Sequence, residues 1–151
     1  MKLTTTLATA LVILFAACSA SAQQQDTSIP EEKRVALAER AVAHDLDGAA
    51  VLEATLRTTE LNAAFDDPIT NVRVIVKNTS ATSWAFVSGV ITFYDASGVR
   101  CGEGIFKADV LAPNESFETD TPGLRIRCQV STWRMVATHL LPRIAQRPIV
   151  P

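Results

Sequence analysis

Four runs of strand-favouring residues, separated by turn residues, follow one another between Val72 and Phe117. In the first, Val72, Val74 and Val76 share one face, while Arg73, Ile75 and Lys77 share the other. That period of two belongs to a half-buried strand. Asn78-Thr79-Ser80 ends the run with side chains that hydrogen-bond nearby backbone and so favour turns. The second run, Trp84 to Tyr94, is rich in aromatic and β-branched residues and apolar on both faces, which predicts a central strand. Gly89 within it marks a bulge or a close backbone approach. Asp95-Ala96-Ser97-Gly98 predicts a short hairpin, with Gly98 in the left-handed position. Val99 to Leu111 then returns antiparallel, Pro113-Asn114 turns the chain, and Glu115 to Thr119 forms a short strand. The series predicts a small, mainly β, antiparallel β-sandwich.

The pattern Val-x-Val-x-Asn-x-Ser, then Thr92-Phe93-Tyr94-Asp95-x-x-Gly98, then Leu111-x-Pro113-x-Glu115-x-Phe117 resembles the FxLYD-type domains of bacterial envelope proteins. Where that family has Phe-x-Leu-Tyr-Asp, this chain has Ile91-Thr92-Phe93-Tyr94-Asp95. The resemblance covers about a third of the chain. It implies an immunoglobulin- or fibronectin-like sandwich, a binding or spacer role, and no catalytic residues to carry over.

A chain of 151 residues fits one domain with a real core. Its formal net charge of −2 gives no reason to expect nucleic acid as a partner. Lys2 is the only charge before Asp26, Leu7 to Ala17 is apolar, and Ala20-Ser21-Ala22 offers a small-x-small cleavage site. Residues 1–22 therefore read as a secretory signal peptide, and the protein as periplasmic or secreted. Leu14-Phe15-Ala16-Ala17-Cys18 also resembles a lipoprotein signal, in which Cys18 would be acylated and anchor the chain to a membrane. Cleavage after Ala22 is the favoured alternative of the two. Cys101 and Cys128 are the remaining cysteines, and an even number in an exported chain reads as a disulfide. Closing a loop of roughly 28 residues stabilises by about 3.5 kcal/mol on chain-entropy grounds.

Residues 23–48 read as a polar leader and a short N-terminal α-helix. Ser28, Pro30 and Glu31 supply start signals, and Val35, Ala38, Val42 and Leu46 form a stripe at helical spacing, so the expected helix runs from Glu31 to His44. Residues 49–62 permit either helix or strand. An apolar face of Leu52, Ala54 and Leu56, and the need of a sandwich for a strand before Val72, favour the strand. Residues 49–141 form the expected sandwich domain. Leu124 to Gln129 reads as a short strand or loop. Thr132 to Leu141 is its last strand, with Trp133, Met135, Ala137, His139 and Leu141 on one face. Residues 142–151 form a tail broken by Pro142, Pro148 and Pro151.

No motif for an enzyme or a cofactor is present. GxSxG, HExxH and HxH do not occur, and His44 and His139 are the two histidines. A strand-face role for His139 is the plainer reading, although a pocket joining it to a serine and a carboxylate would restore an enzyme. Asp45-x-Asp47 and Asp66-Asp67 lack a full calcium loop and read as turns. Arg125, Arg127 and Arg134 are the densest basic group and a candidate partner surface, set against the plainer reading of a solvated face. Asn78-Thr79-Ser80 and Asn114-Glu115-Ser116 are formal glycosylation sequons at predicted turns. The chain therefore reads as an exported, non-enzymatic module without metal or cofactor, whose partner is another envelope or secreted protein. A small apolar ligand held between the sheets is the alternative, ahead of a hydrolase with a dispersed site.

Overall fold

Period-two burial recurs along much of the structure, a computed structural model that describes residues 32–144. The expected signal peptide, Cys18, residues 23–31 and the tail from 145 lie outside the described residues. The strands are β1 (Val35–Ala36), β2 (Ala41–His44), β3 (Ala50–Leu56), β4 (Arg73–Asn78), β5 (Trp84–Tyr94), β6 (Arg100–Leu111), β7 (Ser116–Asp120) and β8 (Thr132–Pro142). They form two four-stranded antiparallel sheets, ordered β1-β8-β5-β6 and β2-β3-β4-β7. These are called the first and second sheet below. Their inner faces enclose one core in which Trp133, Phe93, Phe106, Leu52, Ile91 and Met135 are among the largest buried side chains. Val72, Val74 and Val76 point inward, as their alternation predicts. β5 has a neighbour on each side, as its two apolar faces predict.

The expected helix from Glu31 to His44 is corrected. Glu31 is outside the described residues, and residues 32–44 hold β1, a turn and β2; no helix occurs among the described residues. The helical stripe is not a buried face, since Leu46 is 86% exposed. Ala41 and Ala43 alternate inward instead, and both are fully buried. Asp45 ends β2 with a hairpin: its Oδ1 accepts the N–H groups of Asp47 and Ala49, and Gly48 takes a φ of 82°. Asp95 does the same for Ser97 and Val99, with Gly98 at φ 78°. One turn design thus joins β2 to β3 and β5 to β6. The ambiguous stretch after it is β3, with Leu52, Ala54 and Leu56 inward.

The face assigned to β8 needs a second correction. Ser88 pairs with His139 but Gly89 pairs with Ala137, so Thr138 is an extra residue. A one-residue bulge reverses which side chains face inward. Beyond it Leu140 packs on the core, whereas His139 is exposed and Leu141 is 58% exposed.

Between β7 and β8 the chain crosses from the second sheet to the outer edge of β6. Ile105 N donates to Pro122 O, and Arg127 N donates to Cys101 O. Gly102 and Gly104 make room for the crossing. A Cβ on Gly102 would stand 2.6 Å from Ile126 Cγ1, and one on Gly104 2.8 Å from Thr121 Cβ. Cys101 and Cys128 are bonded in the structure, with Cα atoms 5.9 Å apart, and tie the crossing to β6. The stretch expected as a short strand or loop is this crossing segment; Ile126 and Gln129 make isolated bridges to Ile69 and Asn62.

Candidate functional site

The outward faces of the two sheets differ in chemistry. On the second sheet, Arg57 and Arg73 both reach Glu118, Arg73 also reaches Asp120, and Arg40 reaches Glu53. Lys77 pairs across the strands with Glu53. Ile75 and Val42 are apolar side chains set among these charges. This is the solvated side that an antiparallel sheet ordinarily turns to water.

The first sheet turns a different surface outward. Val87, Ile91 and Phe93 of β5 enter the core, so Phe86, Ser88, Val90, Thr92 and Tyr94 point away from it. The register places Val136 of β8, Val90 of β5 and Ile105 of β6 in one row across three strands. Val90 and Val136 are half-buried and Ile105 is 46% exposed. Two residues along β5 lies the row His139, Ser88, Lys107, and beyond it Leu141, Phe86, Asp109. On the other side lies the row Arg134, Thr92, Glu103. The middle of the face is thus an apolar stripe with polar rows along it. Gly89 keeps this region flat: Phe106 lies under it, and a Cβ there would stand 2.1 Å from Val136 O.

Ser88 Oγ lies 3.2 Å from His139 Nδ1, and Thr138 Oγ1 is 3.2 Å from the same nitrogen. A serine beside a histidine is half of a nucleophile–base arrangement, which needs a third orienting group and a pocket that excludes water. Here the pair stands on an open face, and the residue across β5 from His139 is Lys107.

The three arginines of the basic group each have their own surroundings. Arg127 lies over Phe65, 5.1 Å from the ring centre, and Arg134 lies 5.8 Å from the ring centre of Tyr94. Arg125 is exposed on the crossing segment. Arg34, which the sequence did not single out, stacks on Tyr94 at 3.9 Å and donates to Gly98 O. Tyr94 is therefore enclosed on the outward face by two guanidinium groups. His44 holds the start of the domain: its Nδ1 is 2.6 Å from Glu32 Oε2, and its N–H donates to Glu32 Oε1 at 2.8 Å. Glu32 is buried, and its spacing of twelve residues from His44 carries no sequence signal.

At the end of the sandwich where β2 turns into β3, a hollow of about 350 Å³ opens beside the end of β8. Leu46, Trp84, Leu140 and Pro142 line it, with Asp45 and Asp47 at the rim. Comparison of the chain with protein-family models, with curated proteins and with solved structures returned no match.

Proposed function

We propose that this chain is an exported, non-enzymatic module that binds another protein of the envelope or exterior through the outward face of its first sheet. The observation that carries this reading is the apolar row Val136, Val90, Ile105, set across the middle of a face that points away from the core. Such a stripe is expensive to leave in water, at roughly 25 cal/mol per Å² of apolar surface. Covering it by a partner offsets that expense. The charged outer face of the second sheet stays in solvent under this reading. The two-sheet antiparallel sandwich, and the FxLYD-type resemblance with the immunoglobulin-like fold it implies, favour the same kind of role. The disulfide is compatible with an oxidising compartment, which supports export. Acylation at Cys18 would place the same module on a membrane.

The test is a face-specific capture from cells that export the protein. Val90→Lys should abolish recovery of the partner, whereas Ile75→Lys, on the other outward face, should leave it unchanged. Equal recovery with both variants would remove the first sheet from the account.

A second reading is a carrier of a small apolar ligand, and the hollow beside Trp84 and Leu140 favours it. Its volume is at the small end for ligand sites. A shift in Trp84 fluorescence on titration with an apolar probe, absent in Leu140→Asp, would support that reading.

A further inference from the structure

We propose that the hollow beside Trp84 and Leu140 takes a small amphiphilic amine, its apolar body against those two side chains and its ammonium at the Asp47 carboxylate. The inference rests on the carrier reading above and names the chemistry of the ligand. Three local features build the hollow. The bulge at Thr138 turns Leu140 inward, and bulges are frequent beside functional sites, where they re-aim a side chain. Trp84 Nε1 donates to Asn78 Oδ1 at 3.2 Å, so the indole is fixed and its polar atom already partnered. Leu46 completes the wall from the turn between β2 and β3, where it is 86% exposed and adds nothing to the core.

The twin turn separates what the local fold needs from what it does not. Asp45-Leu46-Asp47-Gly48 and Asp95-Ala96-Ser97-Gly98 close their hairpins through the same pair of bonds to the first carboxylate, with glycine at a positive φ in both. The shared Asp and Gly are the residues that this turn requires. The central pair differs: Ala96 and Ser97 in one turn, Leu46 and Asp47 in the other. Leu46 and Asp47 are the pair that lines the hollow. Turn chemistry accounts for neither, whereas a ligand body would take Leu46 out of water.

Charge sets the class of ligand. Asp45 and Asp47 are the carboxylates of the lining, and no lysine or arginine belongs to it. Asp45 Oδ1 is held by the two N–H groups of the turn. The Asp47 carboxylate has no side-chain partner among the described residues. His44, also in the lining, has its Nδ1 on Glu32. Arg143 follows Pro142 in the chain but is outside the lining. An ammonium gives Asp47 a charge-assisted bond, which a neutral apolar body does not. The volume, about 350 Å³, is at the small end for ligand sites and limits the body to a short alkyl chain or a single ring.

Titration of the isotope-labelled protein with hexylamine, and separately with hexanol, followed by NMR, is the test. The indole N–H signal of Trp84 and the amide signals of Leu46, Ala137 and Leu140 should shift with both probes. Hexylamine should bind about fivefold more tightly than hexanol in low salt, the size of one exposed ion pair. Asp47→Asn, at an exposed side chain that takes no part in the turn bonds, should make the two probes equal. Leu46→Ala, also at an exposed position, should weaken both by the same factor. Equal binding of the two probes to the unaltered protein, or a preference for the amine that survives Asp47→Asn, would overturn the amine and leave the apolar carrier standing. Binding indifferent to Leu46→Ala would place the site elsewhere and overturn the proposal. No shift at these signals with either probe, up to its solubility limit, would remove the amine and the carrier reading together.

Discussion

Asn78 shows how much one side chain can hold. It is fully buried at the end of β4. Its Nδ2 donates to the carbonyls of Thr82, Leu111 and Ala112, and its Oδ1 accepts from Ser80 N, Ser80 Oγ and Trp84 Nε1. Asn78→Ala should destabilise by about 3 kcal/mol or more in chemical denaturation, because it orphans a buried carbonyl and a buried indole N–H together. A loss under 1 kcal/mol would mean that the network is not as tight as described. The sequence marks Asn78 as a turn residue, which is half of its role. The other half depends on carbonyls more than thirty residues away, which local pattern cannot register. Its burial also leaves no room for a glycan, whereas Asn114 is exposed. Gly89 was legible as a position of close approach, though the sequence does not name Phe106 and the carbonyl of Val136 as the neighbours. Gly89→Ala should destabilise by about 2 kcal/mol or more, since the nearest atom is rigid backbone. Unchanged stability would contradict that packing.

At the scale of elements, the strands after Val72 were legible from alternation and turn residues, β3 was preferred to a helix because a sandwich needs a strand there, and the failure lies before it. A stripe at spacings of three and four suggested a helix between Glu31 and His44. The competing signal was present: Asp45-x-x-Gly48 repeats the pattern of Asp95-x-x-Gly98, and both close hairpins through the same carboxylate bonds. Weighing that repeat would have called for a strand on each side of Asp45. Glu32, hydrogen-bonded to the ring and the backbone N–H of His44, then fastens the first strands from outside the local pattern. Glu32→Ala should speed amide exchange at least tenfold in β1 and β2 and leave β5 and β6 unchanged. Uniform exchange would show that these strands need no such tie. Strand β8 was placed correctly, but a bulge at Thr138 is set by pairing with β5 and leaves no trace in composition. The disulfide follows from cysteine count and compartment. Cys101→Ser, Cys128→Ser and the double variant should lose the same stability, about 3.5 kcal/mol. Unequal losses would argue against a bond whose whole effect is the tether.

The described residues form a sandwich with one charged outward face and one whose middle is apolar. Part of this was readable in β5, whose two apolar faces predict a strand with neighbours on both sides. They do not reveal that one of those faces lies outside the core, because a single strand carries no information about which layer covers it. The arginine group was less legible: chain proximity joined Arg125, Arg127 and Arg134, while the fold sets Arg127 and Arg134 beside different rings and adds Arg34 from far away in sequence. The proposed function places contact on the outward face of the first sheet. A photo-crosslinking residue placed at Val90, and separately at Ile75, in the cell of origin is the decisive measurement. The account predicts a discrete crosslinked product from Val90 and none from Ile75. Equal products from the two positions, or a product from Ile75 alone, would contradict it.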